Sequence, residues 1–267
     1  MSMLQNFAIG QYVPGDSFVH RLDPRSKLLF VILFATLVFL AEGPIPYLIL
    51  ILFTLIALGA SRISPAYILK SLKPVWFLLL FTVVLHLLMT KGGEVYYRWG
   101  WFSVEEEGVR QAIYMAIRLG LLVIFSSLLT LTTAPLDLSD GLERLLRPLG
   151  KLGIPIHEIA LMLSIALRFI PTLLEETDKI IKAQKARGVE LESGSLVKRT
   201  RNMIPIVIPL FVSAFRRAED LAMAMESRGY NGGKGRTRLR QLMLTWRDAA
   251  VAVIGVALTL VIGWWWW

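Results

Sequence analysis

From residue 26 onward the chain is dominated by apolar runs too long and too unbroken to be the single stripe of a soluble helix. Five of them stand out: Ser26 to Ala41, Ile45 to Ala60, Pro74 to Met89, Val109 to Leu131 and Ala249 to Trp267. Crossing a bilayer takes roughly 17 to 25 helical residues, so these are predicted spans, the shorter ones borrowing from their flanks. Glu42, Gly43, Pro44 and Pro46 interrupt the apolar run between the first two, which therefore read as a tight helical hairpin.

The pattern changes in the region from Ala134 to Thr245. A long helix is predicted from Ile156 to Arg187, apolar all round from Ile159 to Ile170 and amphipathic thereafter, with Leu173, Leu174, Thr177, Ile180, Ile181 and Gln184 at helical spacing. A second is predicted from Met203 to Arg228, where Phe211, Ala214, Phe215, Ala218, Leu221, Ala222 and Met225 form the stripe. Arg216, Arg217, Glu219, Asp220 and Glu226 take its other face. Each helix starts apolar and ends charged, and the two endings are alike: Lys185-Ala186-Arg187-Gly188 and Glu226-Ser227-Arg228-Gly229. The predicted class is an all-α integral membrane protein with about five transmembrane helices plus two long amphipathic cytoplasmic helices. Its regions are residues 1–133 with four spans, 134–245 in the cytoplasm, and 246–267 as a last span.

Composition agrees with lipid as the solvent. Of 267 residues 55% are hydrophobic and only 18% charged, more apolar than a soluble domain of this length. With no cysteine, disulfides and thiolate chemistry are excluded. The net charge of +9 raises nucleic acid as a partner, but its placement removes the need for one. Arg21, Arg25 and Lys27 precede the first span, Arg62, Lys70 and Lys73 separate the second from the third, and most other cations lie in 134–245. The loop between the third and fourth spans instead sets Lys91 and Arg98 against Glu94, Glu105, Glu106 and Glu107, among the interfacial aromatics Tyr96, Tyr97, Trp99, Trp101 and Phe102. Counting cations near span ends puts the N-terminus inside and the C-terminus outside. Met1 to His20 lacks the order of a cleaved signal, so the first apolar run is expected to stay in the protein. Trp264 to Trp267 reads as an anchor at the outer interface.

Few residues suggest chemistry. His20, His86 and His157 are scattered, and His157-Glu158 lacks the second histidine of a zinc protease helix. His86 is expected to bond a neighbouring helix, and Arg110 and Arg118 to snorkel or pair with carboxylates. Gly232 to Lys234 lacks the remaining parts of a phosphate-binding loop, and no serine elbow appears. Asp137, Asp140 and Glu143 read more economically with Leu138-Ser139-Asp140 as a helix N-cap than as metal ligands. No catalytic centre, metal site or cofactor is predicted. Taken singly, an arginine before glycine is ordinary helix-stop chemistry, the cation meeting the negative dipole end and glycine taking the left-handed position. Repeated on two helices of similar build, it points to two equivalent protrusions fitting two partner grooves. Arginine suits that role because its planar fork makes several directed hydrogen bonds.

Arg21-Leu22-Asp23-Pro24-Arg25-Ser26-Lys27-Leu28-Leu29, Leu167-Arg168-Phe169-Ile170-Pro171 with Leu173-Leu174-Glu175-Glu176, and the two small-Arg-Gly endings together resemble the transmembrane T-component of energy-coupling factor (ECF) transporters. The resemblance covers almost the whole chain. It implies a non-enzymatic coupling subunit of an ABC-type importer in a prokaryotic cytoplasmic membrane. Two soluble ATPase subunits and a separate S-component, which binds a vitamin or other micronutrient, are the implied partners. The two long helices would be coupling helices, with Ala186, Arg187 and Gly188 holding one ATPase and Ser227, Arg228 and Gly229 the other. Many relatives have alanine where this chain has Ser227. The competing readings are a permease that translocates substrate itself, which should show broken helices or paired polar residues across its spans, and a membrane enzyme, which needs a converging catalytic set.

Overall fold

A computed structural model describes residues 12–99, 102–189, 195–232 and 243–266. Residues 1–11, Trp101, Gly233, Lys234 and Trp267, all used in the sequence reading, lie outside the described residues. The described elements are α1 (Pro24–Leu40), α2 (Pro44–Ser61), α3 (Pro65–Leu72), α4 (Trp76–Met89), β1 (Val95–Trp99), β2 (Phe102–Glu105), α5 (Glu106–Thr132), α6 (Pro135–Leu146), a 3-10 segment (Arg147–Leu152), α7 (Ile156–Ala186), α8 (Leu196–Ser227) and α9 (Trp246–Trp266). They fall into two compact units, one of residues 12–144 with 243–266 and one of residues 145–232.

In the first unit, proline at the first helical position starts α1, α2 and α3, where its missing N–H has no helical acceptor to lose. Gly43, with φ of 82°, makes the turn between α1 and α2 that the sequence predicts. The core of this unit is aromatic. Phe34 of α1 stacks on Phe125 of α5 with centroids 4.0 Å apart, and Phe30 and Phe53 pack around that pair at 5.5 to 6.1 Å. α9 closes the group at Gly255, where a Cβ would lie 2.9 Å from Leu33 Cδ2 and 3.3 Å from Phe30 Cε2, so glycine lets the helix come this near without displacing the Leu33 side chain.

One end of the bundle is tied by buried polar groups from distant parts of the sequence. Asp23 caps α1 by accepting from Arg25 N at 2.9 Å, and its own N–H donates to Asp248 Oδ1 of α9 at 2.9 Å. Asp248 Oδ2 accepts from Thr245 N and Thr245 Oγ1, capping α9 in turn. Lys27 Nζ donates to Thr132 O at 2.9 Å, Thr133 Oγ1 at 3.1 Å and His20 O at 3.3 Å, placing a cation on the last carbonyls of α5. Gly141 of α6 sits against this junction, where a Cβ would meet Pro24 Cβ at 2.9 Å.

Three features differ from the sequence prediction. The predicted third span, Pro74 to Met89, forms as α4, but an unpredicted helix, α3, precedes it and meets it at a 60° bend around Lys73 to Val75. The 14 residues of α4 reach about 21 Å, short of a hydrocarbon core of about 30 Å. Pro74 donates no N–H, so the helical hydrogen-bond ladder is interrupted there and the chain bends. The loop before α5 contains a short antiparallel β-hairpin, its backbone closed by Glu106 N to Glu94 O at 2.9 Å; Val95, Tyr96 and Tyr97 are residues that favour extended backbone. Third, α6 starts at Pro135, so Ser139 is a second-turn residue whose Oγ donates to Pro135 O at 3.0 Å, and the N-cap assigned to Leu138-Ser139-Asp140 is corrected.

The five predicted spans correspond to α1, α2, α4, α5 and α9, and α7, in the region read as cytoplasmic, is by length and composition alone also apolar enough to cross a membrane. α2, α5, α7 and α9 are each long and apolar enough to cross a membrane, and α3 with α4 would make a fifth. α1, with 17 residues, is at the lower limit, yet it buries Phe30, Phe34, Leu37 and Val38 at the centre of its unit.

In the second unit α7 and α8 cross. Gln184 Nε2 donates to Pro205 O at 3.3 Å, and Arg217 Nη2 lies 3.6 Å from Glu176 Oε2. The later residue of α7 meets the earlier one of α8, so the helices run in opposing senses through the crossing. α7 keeps its predicted bounds within one residue, whereas α8 begins at Leu196 instead of Met203. Polar helix-forming residues from Lys198 to Asn202 add turns that an apolar stripe does not reveal. Pro171 lies inside α7, and Pro205 and Pro209 inside α8, each removing one backbone hydrogen bond.

Candidate functional site

The ends of α7 and α8 are closed by the same pair of backbone hydrogen bonds. At the first, Gly188 N donates to Lys185 O at 3.0 Å and Val189 N to Gln184 O at 3.0 Å. At the second, Gly229 N donates to Glu226 O at 2.9 Å and Tyr230 N to Met225 O at 3.0 Å. Both are the paired six-to-one and five-to-two bonds of a Schellman stop, with glycine left-handed at φ of 84° and 72°. Arg187 and Arg228 are the residues at the cap, with φ,ψ of −85°,6° and −88°,9°. A Cβ on either glycine would meet nothing within 4 Å, so backbone conformation and not crowding demands glycine there.

This construction places six predicted residues on two projecting turns. Ala186, Arg187 and Gly188 are exposed, as are Ser227, Arg228 and Gly229. The residues bracketing each turn, Gln184 and Val189 in one and Met225 and Tyr230 in the other, are half-buried. Ser227 Oγ returns to Ala224 O at 3.0 Å, which uses up its hydroxyl proton and leaves it, like Ala186, a small group beside its arginine. Among the described residues neither guanidinium has a hydrogen-bond or ion-pair partner. The stop needs only backbone and glycine, so both arginines are available to something else.

The turns are also far apart. The Gln184 contact sets the end of α7 beside Pro205, and from Pro205 to Arg228 the rise of 1.5 Å per residue gives about 35 Å along α8. That separation suits two protein surfaces better than one small ligand. Both helices carry exposed apolar residues: Ile159, Met162 and Leu163 on α7, and Ile204, Val207, Ile208 and Phe211 on α8.

Other singled-out residues are ordinary. His86 Nδ1 pairs with Thr90 Oγ1 of its own helix at 3.3 Å and not with a neighbouring helix, because that hydroxyl lies one turn away on the same face. Arg110 pairs with Glu107 at 3.7 Å as expected. Arg118 instead donates to Tyr47 Oη at 3.0 Å and lies over the Phe39 ring, with no carboxylate. His20 bonds Ser17 Oγ at 2.7 Å and Val13 O at 3.0 Å, fixing the turn before α1. Sequence reasoning missed Asp248, which joins Thr245 beside it to Asp23 near the other end of the chain; the signal was an Asp three residues after Thr245, a helix-start pattern.

Apolar helices of membrane-spanning length define a multi-pass membrane protein. Residues 15–239 match the family CbiQ, described as cobalt transport protein. The chain is 72% identical to the energy-coupling factor transporter transmembrane protein EcfT of Brevibacillus brevis over 98% of its length and 99% of that protein's. It is 51% identical to EcfT of Bacillus subtilis, covering 94% and 95% of the two chains, and 48% identical to that of Clostridium kluyveri, covering 99% of each. The chain belongs to the CbiQ family, as a T-component, the transmembrane component of an ECF transporter.

Proposed function

We propose that the two projecting turns are docking points for two cytoplasmic ABC ATPases, Ala186-Arg187-Gly188 for one and Ser227-Arg228-Gly229 for the other. The chain then acts as a scaffold that couples ATP hydrolysis to uptake of a vitamin or other micronutrient bound by a separate membrane S-component. The observation that carries this reading is the pair of matched helix stops whose arginines the fold does not use. Crossed helices with ends about 35 Å apart form a two-state lever, since ATPases that approach on ATP and part after hydrolysis would change the angle between them. The exposed apolar halves of α7 and α8 would face the S-component, with Pro171, Pro205 and Pro209 as points of bending. In this reading 134–245 is the coupling region on the cytoplasmic side, the N-terminus is inside and the C-terminus outside.

The test is co-purification of the full chain with its ATPases, comparing wild type with the Arg187→Glu, Arg228→Glu double variant. The expected outcome is loss of ATPase from a variant that still runs as a folded species. Equal recovery would reduce both turns to helix stops.

A further inference from the structure

We propose that the first unit holds an anionic phospholipid, a short segment of one acyl chain in an apolar slot between α1, α2, α5 and α9 and its phosphate at Arg62. The slot has a volume of about 150 Å³ and is bounded by Phe30, Phe53, Ala57, Phe125, Leu128 and Val251. No polar surface lines it. Lys27 contributes only its methylene stem, because its Nζ is committed to Thr132 O, Thr133 Oγ1 and His20 O. A cavity of this size and character stays dry and takes hydrocarbon. In a membrane-spanning unit the hydrocarbon at hand is an acyl chain, and the slot is only partly enclosed, so a chain can enter from the side.

The charge at the mouth selects the headgroup. Ala60 lines the slot near the end of α2, and two residues later Arg62 caps that helix. Arg62 is the only non-glycine among the described residues with positive φ, at 54°, a conformation that disfavours any side chain with a Cβ. It is exposed, and no hydrogen-bond or ion-pair partner is present among the described residues. The left-handed position itself calls for glycine or asparagine, and beyond the negative end of the helix dipole the arginine there has no partner among the described residues. Leu22, on the opposite wall, adjoins Arg21, whose pairing with Asp16 at 3.4 Å is largely solvent-exposed. An unpaired cation two residues beyond the slot's last α2 lining residue complements a phosphate whose tail enters the slot.

Native mass spectrometry of the full chain, released from membranes holding equal phosphatidylglycerol and phosphatidylcholine, tests this. Wild type should retain phosphatidylglycerol preferentially through delipidation. Ala57→Phe, which fills the slot, should lower retention of either lipid about tenfold with an unchanged or raised melting temperature. Arg62→Gln should keep the bound chain but lower the preference for phosphatidylglycerol about fivefold. Should Ala57→Phe not fold, Val251→Phe fills the same slot from α9. Retention unaffected by a folded slot-filling variant would overturn the site, and equal binding of the two lipids by wild type would overturn the headgroup assignment.

Discussion

The ends of α7 and α8 share a backbone and differ in charge. Over the eleven residues that finish with Arg187, Lys179, Lys182 and Lys185 add three more cations against the single acid Asp178. Over the eleven that finish with Arg228, the other charges are Glu219, Asp220 and Glu226, all acidic. Matched geometry with opposed surroundings separates two contributions that are usually entangled. The Schellman stop sets where each arginine projects, while the neighbouring charges set how much its loss matters. Arg187 is one cation among several facing the same surface, whereas Arg228 is the sole cation of its turn, so the ends are alike in shape and unlike in electrostatic dependence.

The comparison is tested most severely at Arg228. Arg228→Ala should weaken ATPase attachment by about 2 kcal/mol or more, roughly thirtyfold, as expected of an interface anchor with no substitute nearby. Titration of immobilised chain with ATPase reads this directly. Arg187→Ala should cost about 1 kcal/mol, because Lys182 and Lys185 keep the local field; a larger loss than at Arg228 would reverse the comparison. Salt should then separate the two ends. With Arg228→Ala the lysine-rich α7 end carries most of the attachment and binding should fall steeply as ionic strength rises, whereas with Arg187→Ala, which keeps Lys179, Lys182 and Lys185 but removes one cation, it should fall less steeply. Gly188→Ala and Gly229→Ala should each lower thermal stability by about 1 kcal/mol and by equal amounts, since both glycines occupy the same left-handed position. Ser227→Ala should stay within about 0.5 kcal/mol in both assays, its hydroxyl being turned back on Ala224 O.

The sequence made α7 legible almost residue by residue because a dense apolar run begins right after Pro155 and a glycine closes it. The start of α8 was not legible, since Leu196 to Asn202 is helical by propensity and carries no stripe. The candidate turns could be read because helix stops are local: cation, small residue and glycine are adjacent in the chain. The junction of Asp23, Lys27 and Asp248 could not, because Asp23 and Asp248 stand 225 residues apart and their pairing is a product of packing. The break between α3 and α4 falls between these cases. Pro74 marks the start of the predicted third span and the break falls there, but the eight-residue α3 ahead of it is too short and mixed to stand out as a helix.

The central claim is that both turns touch ATPase, and the absence of cysteine from the chain gives a clean way to measure it. Ala186→Cys, Ser227→Cys and, as an exposed control on α7, Thr172→Cys would each carry the single thiol of the protein, and maleimide labelling would be followed with and without the ATPases. Protection at 186 and 227 with unchanged labelling at 172 is the expected result; labelling at 186 and 227 that is indifferent to the ATPases would contradict the account.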